Sequence, residues 1–78
     1  MADKTYHEEK LTREEAAARL QALADELLKE GDVDVQAGNK RVRLHPKSSV
    51  GYEINVRERS SVLRGSRESV TIKLDWKP

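Results

Sequence analysis

The sequence predicts an α+β domain in the order α-β-β-β-β, with one amphipathic helix lying across a four-stranded antiparallel meander as an open-faced sandwich. Three observations carry this. A capped apolar stripe at three- and four-residue steps runs up to Gly31, the hydrophobic period then becomes two through four segments, and Gly38-Asn39 divides the first two segments at hairpin spacing. At 78 residues the chain has room for one small domain, read here as residues 11–78 behind an arm of residues 1–10.

The arm is of mixed charge with Tyr6 as its large apolar group, and reads as flexible or weakly ordered, with a short added edge strand as the alternative. The helix is expected over 12–30. Thr12 and Glu15 form an S/T-x-x-E capping box that satisfies two otherwise orphaned amides, and Leu11 and Ala16 stand at hydrophobic-staple positions. Glu14 and Glu15 suit the positive first turn, Lys29 the last turn, and Gly31 a left-handed C-terminal position. Ala16, Leu20, Leu23, Ala24, Leu27 and Leu28 make the packing stripe, with Glu15 and Arg19 as an i,i+4 pair on the polar side.

Closing the Gly38-Asn39 loop between Ala37 and Lys40 sets Val35 opposite Val42, Val33 opposite Leu44 and Asp34 opposite Arg43. A turn at Pro46–Ser49 leads to a third strand in which Val50, Tyr52, Ile54 and Val56 alternate with polar residues. A polar link, residues 60–67, leads to a fourth strand with Val70, Ile72, Leu74 and Trp76 on one side and Thr71, Lys73 and Asp75 on the other. Pairing Leu44 with Tyr52 and Tyr52 with Leu74 would set Asp34, Arg43, Glu53 and Lys73 in a row of alternating sign across the outer face, although the link between the third and fourth strands is long and neighbouring registers fit the apolar pattern almost as well. Such directly opposed pairs fix register and add about 0.2–1 kcal/mol each.

Composition narrows the function classes. Leu, Ile, Val and Phe make up 17 of 78 residues, but Lys+Arg 15 against Asp+Glu 14 is a balanced charge, which favours a folded domain over a self-repelling coil. Zero cysteines exclude disulfides, thiolate zinc sites and a cysteine nucleophile, in keeping with a reducing, cytoplasmic location. No apolar run has the length of a signal or membrane-spanning segment, so no membrane partner is expected. His7 and His45 stand in no metal-ligand spacing, and no serine has a His and acid constellation. No Gly-rich phosphate loop is present either. Neither catalysis nor a cofactor is expected.

Two features point outward. Residues 32–78 hold ten basic and six acidic residues, and Arg41, Arg43, Arg57, Arg59, Arg64 and Arg67 supply most of the excess, making them the candidate polyanion-binding set. Nucleic acid is a weak expectation, because a sheet that reads single strands needs exposed rings to stack bases and both strand aromatics, Tyr52 and Trp76, fall on the helix-facing side. The link around Arg64-Gly65-Ser66-Arg67 suits an anion or an ordinary solvated hairpin tip. Trp76 either closes the open end of the core or anchors a partner at an edge strand, with Lys73 and Asp75 beside it.

The order Leu11-Thr12-Arg13-Glu14-Glu15-Ala16-Ala17, Leu20, Leu23-Ala24, Leu27, Gly31, Val33 and Val35, Pro46, Glu53-Ile54-Asn55-Val56, and Glu68 through Ile72, Leu74 and Trp76 resembles the amphi-Trp domain family of prokaryotes. That family is named for an amphipathic strand ending in tryptophan. The resemblance implies a small domain of unknown function with no assigned catalytic residues. The reading that results is a non-enzymatic protein-interaction or self-association module using a sheet edge, monomeric or weakly dimeric, with weak nucleic-acid or polyanion binding as the alternative.

Overall fold

The computed structural model describes residues 4–78. One helix, α1 (Arg13–Leu28), is followed by four strands: β1 (Val33–Ala37), β2 (Lys40–Leu44), β3 (Gly51–Arg59) and β4 (Arg67–Asp75). The fold is α+β, and its strands form two antiparallel two-stranded sheets, β1–β2 and β3–β4. The chain divides into two compact units, the first ending at Pro46 and the second spanning Lys47–Lys77. No described helix is long and apolar enough to cross a membrane.

In the first unit the helix begins as its cap dictates. Thr12 Oγ1 accepts from the Glu15 amide at 3.1 Å, and Glu15 Oε1 accepts from the Thr12 amide at 3.2 Å. Glu15 is thereby committed to the cap, and Arg19 bonds Glu9 at 3.3 Å in place of the expected i,i+4 partner. The helix closes two residues early. Lys29 is an extended C-cap whose side chain reaches back to Glu26 at 2.5 Å, while Gly31, at φ +84°, turns the chain after the helix instead of capping it.

β1 and β2 pair in the register that the two-residue loop demands, Val33 with Leu44 and Val35 with Val42, and Asp34 faces Arg43 with an ion pair at 3.3 Å. In this ladder the Asp34 amide points away from β2, and Glu26 Oε1 on α1 accepts it at 3.0 Å, fastening helix to strand. α1 packs on β1, and Val33, 1% exposed, is the fully buried side chain of the described residues. The stripe is only partly covered: Leu23 and Leu27 are half-buried, whereas Leu20, Ala24 and Leu28 are exposed. A sixteen-residue helix is roughly 24 Å long and a five-residue strand roughly 17 Å, so β1 covers only part of it. The arm forms no strand over residues 4–10, its first three residues lying outside the described ones. Glu9 bonds Arg19, and His7 lies so close to Gly38 that a Cβ there would fall 2.6 Å from its Nδ1.

The second unit is a two-stranded ribbon. β3 and β4 pair Tyr52 with Leu74, Glu53 with Lys73, Ile54 with Ile72 and Val56 with Val70, the expected register extended to Arg59 opposite Arg67. The expected Leu44–Tyr52 ladder is absent, since β2 pairs with β1 alone and β3 with β4 alone. The six residues between Leu44 and Gly51 pass through Pro46, which lacks an amide hydrogen, so they make no tight turn that dictates a register. The expected burial of the ribbon's apolar side is not found either: Tyr52 is 65% and Val56 67% exposed, and Ile54, Val70 and Ile72 are exposed too.

Candidate interaction surface

β4 is nine residues long, contains neither Pro nor Gly, and bonds a neighbour on one side only. Its other edge therefore presents a row of backbone donors and acceptors. Alternation along the strand separates the side chains into two faces. Val70, Ile72 and Leu74 lie with Tyr52, Ile54 and Val56 on the apolar face, and Thr71, Lys73 and Asp75 lie on the polar one.

The candidate partner-binding residues cluster at the C-terminal end of β4. Lys73 and Asp75 are exposed and approach each other at 3.8 Å, so Lys73 reaches along its own strand and not across to Glu53. Trp76 is half-buried one residue beyond the strand.

The Amphi-Trp domain model matches residues 2–78. The chain belongs to the Amphi-Trp domain family. No curated protein matches it, and no solved structure does.

The six candidate arginines of this Amphi-Trp chain fall in three places. Arg43 is held by Asp34, and Arg41 lines an open groove of about 1100 Å³ in the first unit. Arg64 sits in the turn of the β3–β4 link, where its amide donates to Ser61 Oγ at 3.1 Å and the Gly65 amide donates to the Ser61 carbonyl at 3.0 Å. Those bonds are internal to the loop, and Gly65, at φ +77°, supplies the left-handed residue that the turn requires. Arg57, Arg59 and Arg67 come together on the polar face of the ribbon, lining a concavity of about 300 Å³ with Ser69. Ser69 was not among the sequence candidates. The signal that finds it is register: once β3 continues through Arg59, Ser69 stands opposite Arg57.

The first-unit groove is lined by charges of both signs, and among the described residues all of them except Arg41 are paired. Glu9 accepts from Arg19 and bonds His7 at 2.7 Å; the His7 bond, then the Arg19 bond, hold its carboxyl below the usual range. Glu26 is lowered by Lys29 first and by the Asp34 amide second, and Lys29 is raised by Glu26. His7 lines this groove beside Glu9, and no Ser, Thr, Cys or Tyr is among the described lining residues. His45 bonds Asp32 at 2.6 Å at an exposed strand end. Among the described residues no group of three or more His, Cys, Asp or Glu is placed to hold a metal ion.

Proposed function

We propose that this Amphi-Trp domain is a non-enzymatic interaction module in which the free edge of β4 takes up an extended strand, the first partner to consider being a second copy of the chain. The observation that supports it is the exposed apolar face beside an unpaired nine-residue edge. An isolated two-stranded ribbon is marginal in water, and three or more strands with a covered apolar face are needed for independent stability. Strand addition supplies backbone hydrogen bonds along the edge, and the alternating side chains of β4 give it specificity. Trp76, at the end of β4, is placed to add a large contact area at small entropic cost. The alternation of the whole chain supports the further proposal that β2 and β3 pair into a four-stranded meander, which cross-strand nuclear Overhauser effects between Leu44 and Tyr52 would reveal.

The test is the association state of the full chain. Sedimentation from low to high micromolar concentration is expected to show a reversible increase in mass, with concentration-dependent shifts at the amides of Arg67–Asp75. A monomer at every concentration, with those amides unmoved, would defeat self-association through this edge.

A further inference from the structure

We propose that the loop-side end of the β3–β4 ribbon is a binding site for a phosphate group, held by the guanidinium groups of Arg57, Arg59 and Arg67 with the Ser69 hydroxyl beside them. The proposal goes beyond the strand-edge reading, which rests on backbone groups of β4, whereas this site is made of side chains on the polar face.

Arg57 stands opposite Ser69 and Arg59 directly opposite Arg67, all four at odd-numbered positions that share one face. Like charges directly opposed in a ladder destabilise it. Of the other directly opposed charged pairs, Asp34 with Arg43 and Glu53 with Lys73 are complementary, whereas Glu58 with Glu68 is a second like pair on the other face of the ribbon. Among the described residues no carboxylate lies within 4.0 Å of Arg57, Arg59 or Arg67. The carboxylates nearest in sequence, Glu58 and Glu68, oppose each other on the opposite face. Glu53 is four residues from Arg57, about 13 Å along the strand. Three uncompensated cations thus converge on one concavity at a stability cost within the ribbon itself.

The chemistry of those groups selects the ligand. A guanidinium presents a planar fork of donors that matches phosphate oxygens two at a time, and Ser69 adds a hydroxyl donor. The concavity, about 300 Å³ and lined by three arginines and one serine, suits an anion by its charge. Tyr52 lies on the opposite face and Trp76 beyond the far end of β4, so no ring of the ribbon stands beside the arginines to stack a base and the phosphate itself is what is recognised. The phosphate has two possible sources, a free oligophosphate or a lipid headgroup. Val62 and Leu63 stand fully exposed in the adjoining turn, an apolar pair that matters only for the lipid source.

Titration of the isotope-labelled full chain with pyrophosphate at low salt, followed by amide chemical shifts, tests the site. Saturable shifts at Arg59, Arg67 and Ser69 are expected, with Arg41 and Arg43 unmoved as internal controls. Arg59→Gln is expected to weaken binding at least about threefold while slightly raising the thermal midpoint, because it also relieves the opposed like charges. Co-sedimentation with phosphatidylglycerol vesicles separates the sources. Capture lost in a Val62→Ser, Leu63→Ser double variant assigns the phosphate to a headgroup, and pyrophosphate shifts without capture assign it to a free anion. Neither saturable shifts nor capture, or shifts at Arg41 and Arg43 equal to those of the cluster, would overturn the proposal. A strictly monomeric chain that still binds pyrophosphate would defeat self-association through the edge and leave this site standing.

Discussion

The two units of this Amphi-Trp chain use the same strand chemistry to different ends. In the first, a hairpin of five-residue strands meets a helix, buries Val33, and has its outer β1 amide at Asp34 bonded by Glu26. In the second, nine-residue strands pair over their full length, yet their apolar face is exposed and β4 has a free edge. Strand length and pairing alone do not bury a core. A ladder supplies backbone bonds, and burial needs a second layer.

That contrast can be broken most forcefully at Val33. Val33→Ala is expected to cost about 1.5–3 kcal/mol in the first unit, seen as lost amide protection in α1 and β1, whereas Val56→Ala in the exposed ribbon is expected to cost less than about 1 kcal/mol in the unassociated chain. Equal costs at the two sites would remove the distinction. Next come the local devices of the first unit. Thr12→Ala removes the cap acceptor and is expected to cost about 1 kcal/mol in urea unfolding. Gly38→Ala is expected to cost a similar amount, because Gly38 has φ +65° and a Cβ there would run into the His7 ring.

Acidification sharpens the comparison further. Glu9, Glu15 and Glu26 all titrate below the usual carboxylate range, through bonds from His7, Thr12 and Lys29 respectively, and all three lie in the first unit. A carboxylate lowered by folding lends stability that is fully present above its unfolded value and is lost as pH falls through the folded one. Amide protection factors in α1 and β1, taken against the intrinsic exchange rate at each pH, are therefore expected to fall as pH drops below the ordinary carboxylate range, and Glu26→Gln is expected to flatten that dependence. The smallest effect is reserved for the outer face: Asp34→Asn, which weakens the exposed Arg43 pair, is expected to change stability by no more than about 0.5 kcal/mol.

Much of the fold was legible because local chemistry decides it. The Thr12–Glu15 box placed the helix start and the Gly38-Asn39 loop placed every β1–β2 partner, while parity left several β3–β4 registers open, of which the ladder takes Tyr52 opposite Leu74. What was not legible depends on groups distant in sequence or on competition between partners. Lys29 left the last turn to become a cap, and Arg19 chose Glu9 over Glu15 because the cap had already claimed that carboxylate. The extent of the charged cluster was hidden for a different reason: β3 and β4 continue into polar residues that carry no hydrophobic alternation, so Arg59, Arg67 and Ser69 read as link or strand end until the ladder aligned them. The exposure of the ribbon's apolar face was invisible to periodicity, which shows that a strand has an apolar side but not what covers it.

We propose β4 as an open edge that recruits a strand. Sedimentation equilibrium of the full chain across micromolar concentrations, with intermolecular nuclear Overhauser effects recorded at Arg67–Asp75, tests it most directly. A reversible monomer–dimer equilibrium with cross-strand contacts between β4 of two copies is the result this account predicts. A monomer throughout, or a dimer in which the β4 amides exchange as freely as in the monomer, would contradict it.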